Sequence, residues 1–245
     1  MEEKENIQFE LTDLLIEQVR QLIVENDNDA LRVLMDDFHF ADIAEILEEL
    51  DLDEAIYIIK LLDSETTSGI LMELDEDIRE KVLENLSAKE IAEEVEELDT
   101  DDAADMIAEL PEDRKDAVIS QIEDKEHKAE IQELLTYDEG TAGALMAKEL
   151  VKVNENWNIT NCVSEMRAQA EDVTRVHSIY VVDNDEKLIG RLSLKDLLIA
   201  SPKAHISDVY IPKVDYVDVN EDVEDVAKIM AKYNLEAIPV VDENK

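Results

Sequence analysis

Ala41-Asp42-Ile43-Ala44-Glu45-Ile46-Leu47-Glu48-Glu49-Leu50-Asp51 returns 48 residues later as Lys89-Glu90-Ile91-Ala92-Glu93-Glu94-Val95-Glu96-Glu97-Leu98-Asp99, with seven of eleven positions identical. A shorter period runs inside this echo. Leu50, Leu62, Leu74, Leu86, Leu98 and Leu110, then Ile122 and Leu134, fall twelve residues apart. Asp51, Asp63, Asp75 and Asp99 follow four of them, and Pro111 follows Leu110, suited to a first helical position. After Leu86 comes Ser87-Ala88-Lys89-Glu90, a capping box in which the serine and glutamate satisfy each other's backbone donors. Twelve residues hold a helix of about nine or ten and a turn of two or three. A helix that short is unstable alone, so its apolar face must be shared with its neighbours. The pattern therefore predicts a strand-free superhelix of short helices over residues 1–135. The competing reading, an ordinary bundle with accidental spacing, has to explain eight positions in one register.

Composition bounds the partners. The chain has 245 residues, 45% hydrophobic, which is enough apolar material for a core. Acidic residues number 65 against 23 basic, for a net charge of -42. Such a charge repels nucleic acid and anionic membrane surfaces and favours cations or basic partners. It is concentrated in residues 1–135, where 44 acids face 11 bases. Cys162 is the one cysteine, so there is neither an internal disulfide nor a cysteine zinc cage, consistent with a reducing cytosol. No apolar run approaches the ~20 residues needed to span a bilayer. The start, Met1-Glu2-Glu3-Lys4-Glu5, has no apolar signal region.

Near residues 136–140 the helical spacing gives way to short β-branched runs, which marks a domain boundary. Beyond it a helix is expected over residues 157–169, then a strand over 176–183 turning into another over 187–192. Ser193 caps a following helix. After Pro202 the order starts again, with a strand near 216–219, a helix over 221–233 and a strand over 236–242.

Gly190-Arg191-Leu192-Ser193-Leu194-Lys195-Asp196 resembles the signature of a CBS domain, and Ile238-Pro239-Val240-Val241-Asp242 resembles the strand that precedes that signature in a second repeat. Residues 136–146, Thr-Tyr-Asp-Glu-Gly-Thr-Ala-Gly-Ala-Leu-Met, resemble the linker of MgtE-type magnesium transporters. The acidic repeats, above all Leu98-Asp99-Thr100-Asp101-Asp102-Ala103-Ala104-Asp105, resemble that family's N domain. The resemblance covers essentially the whole chain. It implies a multidomain fold: an all-α superhelix over residues 1–135, a linker and first α+β CBS domain over 136–200, and an incomplete second CBS domain over 201–245. The sequence departs from the family at Met146-Ala147-Lys148, at Arg191, and in lacking the second half of the second CBS repeat. Membrane helices are absent too, so the chain reads as a truncated cytosolic fragment.

Carboxylates are the plentiful ligands. Mg²⁺ prefers oxygen and keeps several waters while touching one or two carboxylates. Asp101 and Asp105, one helical turn apart, with Asp102 between them, are candidates; the same acids also suit a helix first turn, where the dipole favours them. The resemblance supports the metal reading and adds Asp242 and Glu243 on the CBS side. Glu221 and Asp222 form a third cluster, or else the solvated start of a helix. Asp183-Asn184-Asp185 opens like a calcium loop, but Leu188 stands where glycine is required. The four histidines are too scattered for a zinc site, and Cys162 reads as core packing. By resemblance Ser193 and Asp196 are candidates for an adenosine nucleotide; as bare residues they suit a helix cap and first turn.

No Walker A loop, nucleophile elbow or Rossmann fingerprint occurs, so an enzyme is not expected. The resemblance implies an Mg²⁺-sensing regulatory region of a magnesium transporter or channel, at the cytoplasmic face of the membrane. It would be paired into a homodimer through its CBS domains and would close on them when Mg²⁺ is high. A CBS-type nucleotide sensor and a helical interaction scaffold, as in flagellar motor proteins, are the alternatives.

Overall fold

The computed structural model describes residues 9–169 and 178–243. It divides into two compact units, one of residues up to Leu98 with Asp105–Lys128, the other of Asp99–Ala104 with Ala129 onward.

The twelve-residue period becomes a string of short helices: α1 (Asp13–Glu25), α2 (Asn28–Met35), α3 (Phe40–Glu48), α4 (Leu52–Ile59), α5 (Ser64–Glu73), α6 (Glu76–Glu84), α7 (Ala88–Val95), α8 (Thr100–Ala108), α9 (Glu112–Gln121) and α10 (Lys125–Leu134). The periodic leucines sit where each helix ends, none of them exposed, with Leu74, Leu86, Leu110, Ile122 and Leu134 buried. In the first unit α3 packs on α5, α5 on α7 and α7 on α9, while α4 packs on α6. This alternation is what a two-layer solenoid requires.

Local chemistry sets the breaks. Asp63 accepts from the Thr66 N–H at 3.0 Å, and Asp75 from Asp77 at 3.0 Å, so the acids after the leucines act as N-caps. The Ser87/Glu90 box forms as expected, with the Ser87 N–H 2.6 Å from Glu90 and the Glu90 N–H 3.2 Å from the serine hydroxyl. Pro111 differs from expectation: it occupies the N-cap, with α9 beginning at Glu112. Its fixed φ of -57° serves that position as well, and its ψ of 145° is extended.

Several of the scarce bases go to helix C-termini. Arg20 donates to the Glu49 carbonyl at 3.0 Å, Arg32 to Leu61 at 3.2 Å, and Arg114 to Leu83 at 2.9 Å and Leu86 at 2.6 Å. Arg79, 8% exposed, reaches the Leu71 and Met72 carbonyls and pairs bidentately with Glu109. These contacts satisfy carbonyls that a helix end leaves open, and they set cations on its negative pole.

In the second unit β1 (Val151–Asn154) pairs parallel with β2 (Ile179–Val182), which pairs antiparallel with β3 (Leu188–Leu192). Between β1 and β2 runs α11 (Ile159–Gln169), which starts two residues later than expected; α12 (Leu194–Ile199) follows β3. Val151, Val153, Ile179, Val181 and Leu192 bury one sheet face against Ile159, Leu197 and Ile206. Cys162 lies in this core, fully buried, with its thiol pushed up to about 11 by burial. Val176 and His177, expected to begin β2, lie outside the described residues.

The second repeat is smaller. β4 (Val217–Asp218) and β5 (Val240–Val241) pair in parallel over two residues each, with α13 (Val223–Tyr233) between them. Both strands are shorter than the sequence suggested. In this two-stranded sheet no second neighbour supports β5, and Pro239 has no N–H for a ladder. The linker is bound to this repeat. Ala142 donates to the Glu221 carbonyl at 2.8 Å, Gly143 to Val219 at 2.8 Å, and Val223 to the Gly140 carbonyl at 3.0 Å. A Cβ on Gly143 would stand 2.7 Å from the Tyr137 ring and 2.9 Å from the Val219 carbonyl, so this approach requires glycine.

Candidate functional site

The candidate site grows from the first turn of α8. Thr100 is fully buried, and both its N–H and its hydroxyl are engaged. Its N–H donates to Glu149 Oε1 at 3.0 Å and its hydroxyl to Glu149 Oε2 at 2.9 Å, while Oγ1 accepts from the Lys148 N–H at 2.9 Å. A carboxylate thus sits on the positive end of α8, supplied from 49 residues away. Glu149 and Lys148 belong to the segment that leads through Leu150 into β1.

The next residue, Asp101, is half-buried. Burial pushes its carboxyl above the ordinary range, against backbone N–H groups of its own turn that pull it down. Asp101 lines a cavity of about 680 Å³ together with Glu133, Tyr137, Lys148, Glu149, Glu236 and Asp242, over an apolar floor that includes Leu145, Met146, Met230, Ile238 and Pro239. Glu133 accepts from Lys148 Nζ at 2.6 Å and from the Tyr137 hydroxyl at 3.2 Å. Burial raises the Tyr137 hydroxyl, and the charges of Glu133 and Asp242 raise it further. Five carboxylates and one amine line the cavity, so it carries net negative charge.

Of the seven sequence-derived metal candidates, Asp101 and Asp242 border this cavity. Asp102 is half-buried beside Asp101, and Asp105 is exposed one turn further along α8. Glu243 is exposed and follows Asp242. Glu221 and Asp222 stand elsewhere, at the start of α13. Asp222 is its N-cap, accepting from Glu224 at 2.9 Å, and the Glu221 carbonyl holds the linker. Among the described residues no three His, Cys, Asp or Glu side chains converge into a ready metal cage. Ser193 occupies the N-cap of α12 as expected, but its side chain makes no capping bond; Asp196 sits in that helix's first turn, half-buried. Sequence reasoning missed Thr100, Glu133, Tyr137, Lys148, Glu149 and Glu236. Tyr137 and Met146 lay inside the linker motif, which was the available signal.

Comparison with known proteins matches the MgtE intracellular N domain over residues 38–140 and the CBS domain over residues 142–203 and 206–245. The chain belongs to the MgtE family. The magnesium transporter MgtE of Thermus thermophilus is 41% identical over 107 residues, which is 44% of this chain and 24% of that protein. MgtE of Enterococcus faecalis is 34% identical over 108 residues, again 44% and 24%. These alignments therefore span about a quarter of the curated relatives. Among solved structures, the cytosolic domain of the Mg²⁺ channel MgtE in complex with ATP superposes with a TM-score of 0.85 at 32% identity, covering 93% of each chain. The soluble part of a magnesium transporter gives 0.80 at 26% identity, covering 94% of this chain and 90% of that one. An N domain joined to CBS domains is thus the architecture of MgtE cytosolic regions. Family membership assigns the chain to a family of transporters and channels rather than to enzymes. Among the described residues no helix is long and apolar enough to cross a membrane.

Proposed function

We propose that this region senses cytosolic Mg²⁺ for a magnesium transporter or channel at the cytoplasmic face of the membrane. The observation that carries the reading is Asp101 of α8 and Asp242, just past β5, lining one negatively charged cavity. The donor set suits the ion: hard carboxylate oxygens, with neither histidine nor cysteine among the lining residues. Asp101 and Asp242 would hold Mg²⁺ through its remaining waters, with Asp102 and Glu243 adding charge. Mg²⁺ supplies double positive charge where carboxylates otherwise repel. At physiological salt the screening length is about 8 Å, so only charges across a short gap are affected.

Each such site is weak, because Mg²⁺ dehydrates reluctantly. An ion shifts a conformational balance only by its difference in affinity between the two states, so several weak sites must act together. In this reading the carboxylates are apart at low Mg²⁺ and drawn together at high Mg²⁺, and in the full transporter that closure shuts the ion pathway. Two chains pair through their CBS regions, a reading supported by Leu194, Leu198 and Ile199 of α12, which are 58%, 77% and 73% exposed.

A second reading adds a nucleotide. The related cytosolic domain was solved with ATP, and the Ser193 hydroxyl makes no capping bond. Ser193 and Asp196 would then meet the ribose.

The test is small-angle scattering across an Mg²⁺ titration. Compaction should accompany Mg²⁺ and be blunted by Asp101→Asn with Asp242→Asn. Equal compaction by monovalent salt at the same ionic strength would mean that screening suffices and would defeat the bridging sites.

A further inference from the structure

Among its described residues the helical array buries two charged ones besides its apolar core, Arg79 and Glu94, and treats them oppositely. Arg79 is met by Glu109 and by helix-end carbonyls. Glu94, on α7 and 9% exposed, has its Oε2 fully buried without a hydrogen-bond partner among the described residues. An ionised carboxylate in that position would be costly, because Oε2 loses its solvation and no donor replaces it.

The repeat explains how it came there. In the 48-residue echo Glu94 stands where the first copy has Ile46. Ile46 is fully buried, as are Ile43 and Leu47, the counterparts of Ile91 and Val95. A titratable group therefore occupies a core position of the superhelix.

Among the described residues its surroundings offer no compensating charge. The groups acting on it are Glu93, Glu97 and Glu90 from its own helix and the turn after it, and Asp63 from the cap of α5. The nearby cations are engaged elsewhere. Lys60 lies 3.0 Å from Glu90, and Lys89 lies 2.5 Å from Glu93. On α9, Arg114 is held by the Leu83 and Leu86 carbonyls and Lys115 by Glu112. His127 of α10 contacts the Val95 carbonyl at 3.1 Å through Nε2.

We propose that Glu94 is a proton-holding switch in the α5–α7–α9 layer, neutral while the layer is packed and forcing α7 loose when its proton is lost to alkaline solvent. Burial first, then the surrounding carboxylates, push its carboxyl up to about 8 from an ordinary value of 4.5. The unfolded chain loses this proton near 4.5 and the packed layer holds it to about 8, so rising pH withdraws stability between those values. Above about 8 the group is charged in both states and the loss is complete.

Two measurements on the whole 245-residue chain test this. The first follows the Glu94 side-chain carboxyl by carbon NMR; a midpoint near 8 is expected, and one in the ordinary carboxylate range overturns the proposal. The second compares thermal unfolding and α7 amide exchange of the natural chain with Glu94→Gln from pH 6 to 9.5. The variant should gain in melting temperature as pH rises, and its α7 amides should stay protected where those of the natural chain speed up. A difference independent of pH overturns the switch. Should the glutamine variant fail to fold, the carboxyl midpoint decides alone, and Glu93→Gln should lower it by removing a like charge.

Discussion

Replacing Thr100 with valine removes a hydroxyl from a fully buried position while keeping the side chain's shape. Two hydrogen bonds go: the 2.9 Å donation to Glu149 Oε2 and the 2.9 Å acceptance from the Lys148 N–H. A hydrogen bond to a charged group contributes about 1.5–3 kcal/mol net, and a neutral one about 0.5–1.5. The added methyl returns roughly 0.8 kcal/mol. The balance is a local loss of about 1.5–3 kcal/mol at the joint between α8 and the segment entering β1. The loss is local to this joint, so amide exchange at Thr100 and Lys148 is the appropriate readout. At tenfold per 1.4 kcal/mol, the two amides should exchange roughly 10- to 150-fold faster in Thr100→Val. Glu149→Gln, which keeps an acceptor but loses the charge facing the helix end, should be milder, and the double variant should show non-additivity of about 1 kcal/mol. Thr100→Ser keeps the hydroxyl and should exchange nearly as the natural chain does. If serine and valine behave alike, or if valine changes nothing, the hydrogen-bonded joint does not hold α8 in the way described.

Two further outcomes follow from the burial pattern. Arg79→Leu should destabilise the first unit by about 1–3 kcal/mol, read by urea unfolding, because it leaves the Leu71 and Met72 carbonyls without their donor, while the exposed Glu109 regains water. Cys162, fully buried with its thiol near 11, should resist alkylation at pH 8 until denaturant is added, and rapid labelling of the folded chain would contradict its place in the core.

The helical array was legible because its period is local. A leucine every twelve residues with an acid behind it specifies both where a helix ends and what caps the next, and Asp63, Asp75 and the Ser87/Glu90 box behave accordingly. The CBS halves were legible from short β-branched runs and a glycine signature. What could not be read depends on pairs distant in sequence. Glu149 meets Thr100 across 49 residues, and Glu109 meets Arg79 across 30. Neither pair leaves a periodic trace. Asp101 and Asp242 were both named from the sequence, but the lysine, tyrosine and glutamates that share their cavity were not, since each looks like an ordinary surface residue. Glu94 could have been found: the mismatch with Ile46 is visible once the two copies are aligned, yet in a chain with 65 acids one more glutamate draws no notice.

The central claim is that Mg²⁺ is read by Asp101 and Asp242, and its most direct measurement is the Mg²⁺-dependence of thermal stability in the 245-residue chain at fixed ionic strength. A ligand bound by the folded state alone stabilises it by RT ln(1 + [L]/Kd), which is about 2.7 kcal/mol at a hundredfold excess over Kd. The account predicts a melting temperature that climbs with Mg²⁺ while monovalent salt at equal ionic strength does not reproduce the climb, and a rise lost in Asp101→Asn with Asp242→Asn. An undiminished Mg²⁺ response in that double variant would contradict it.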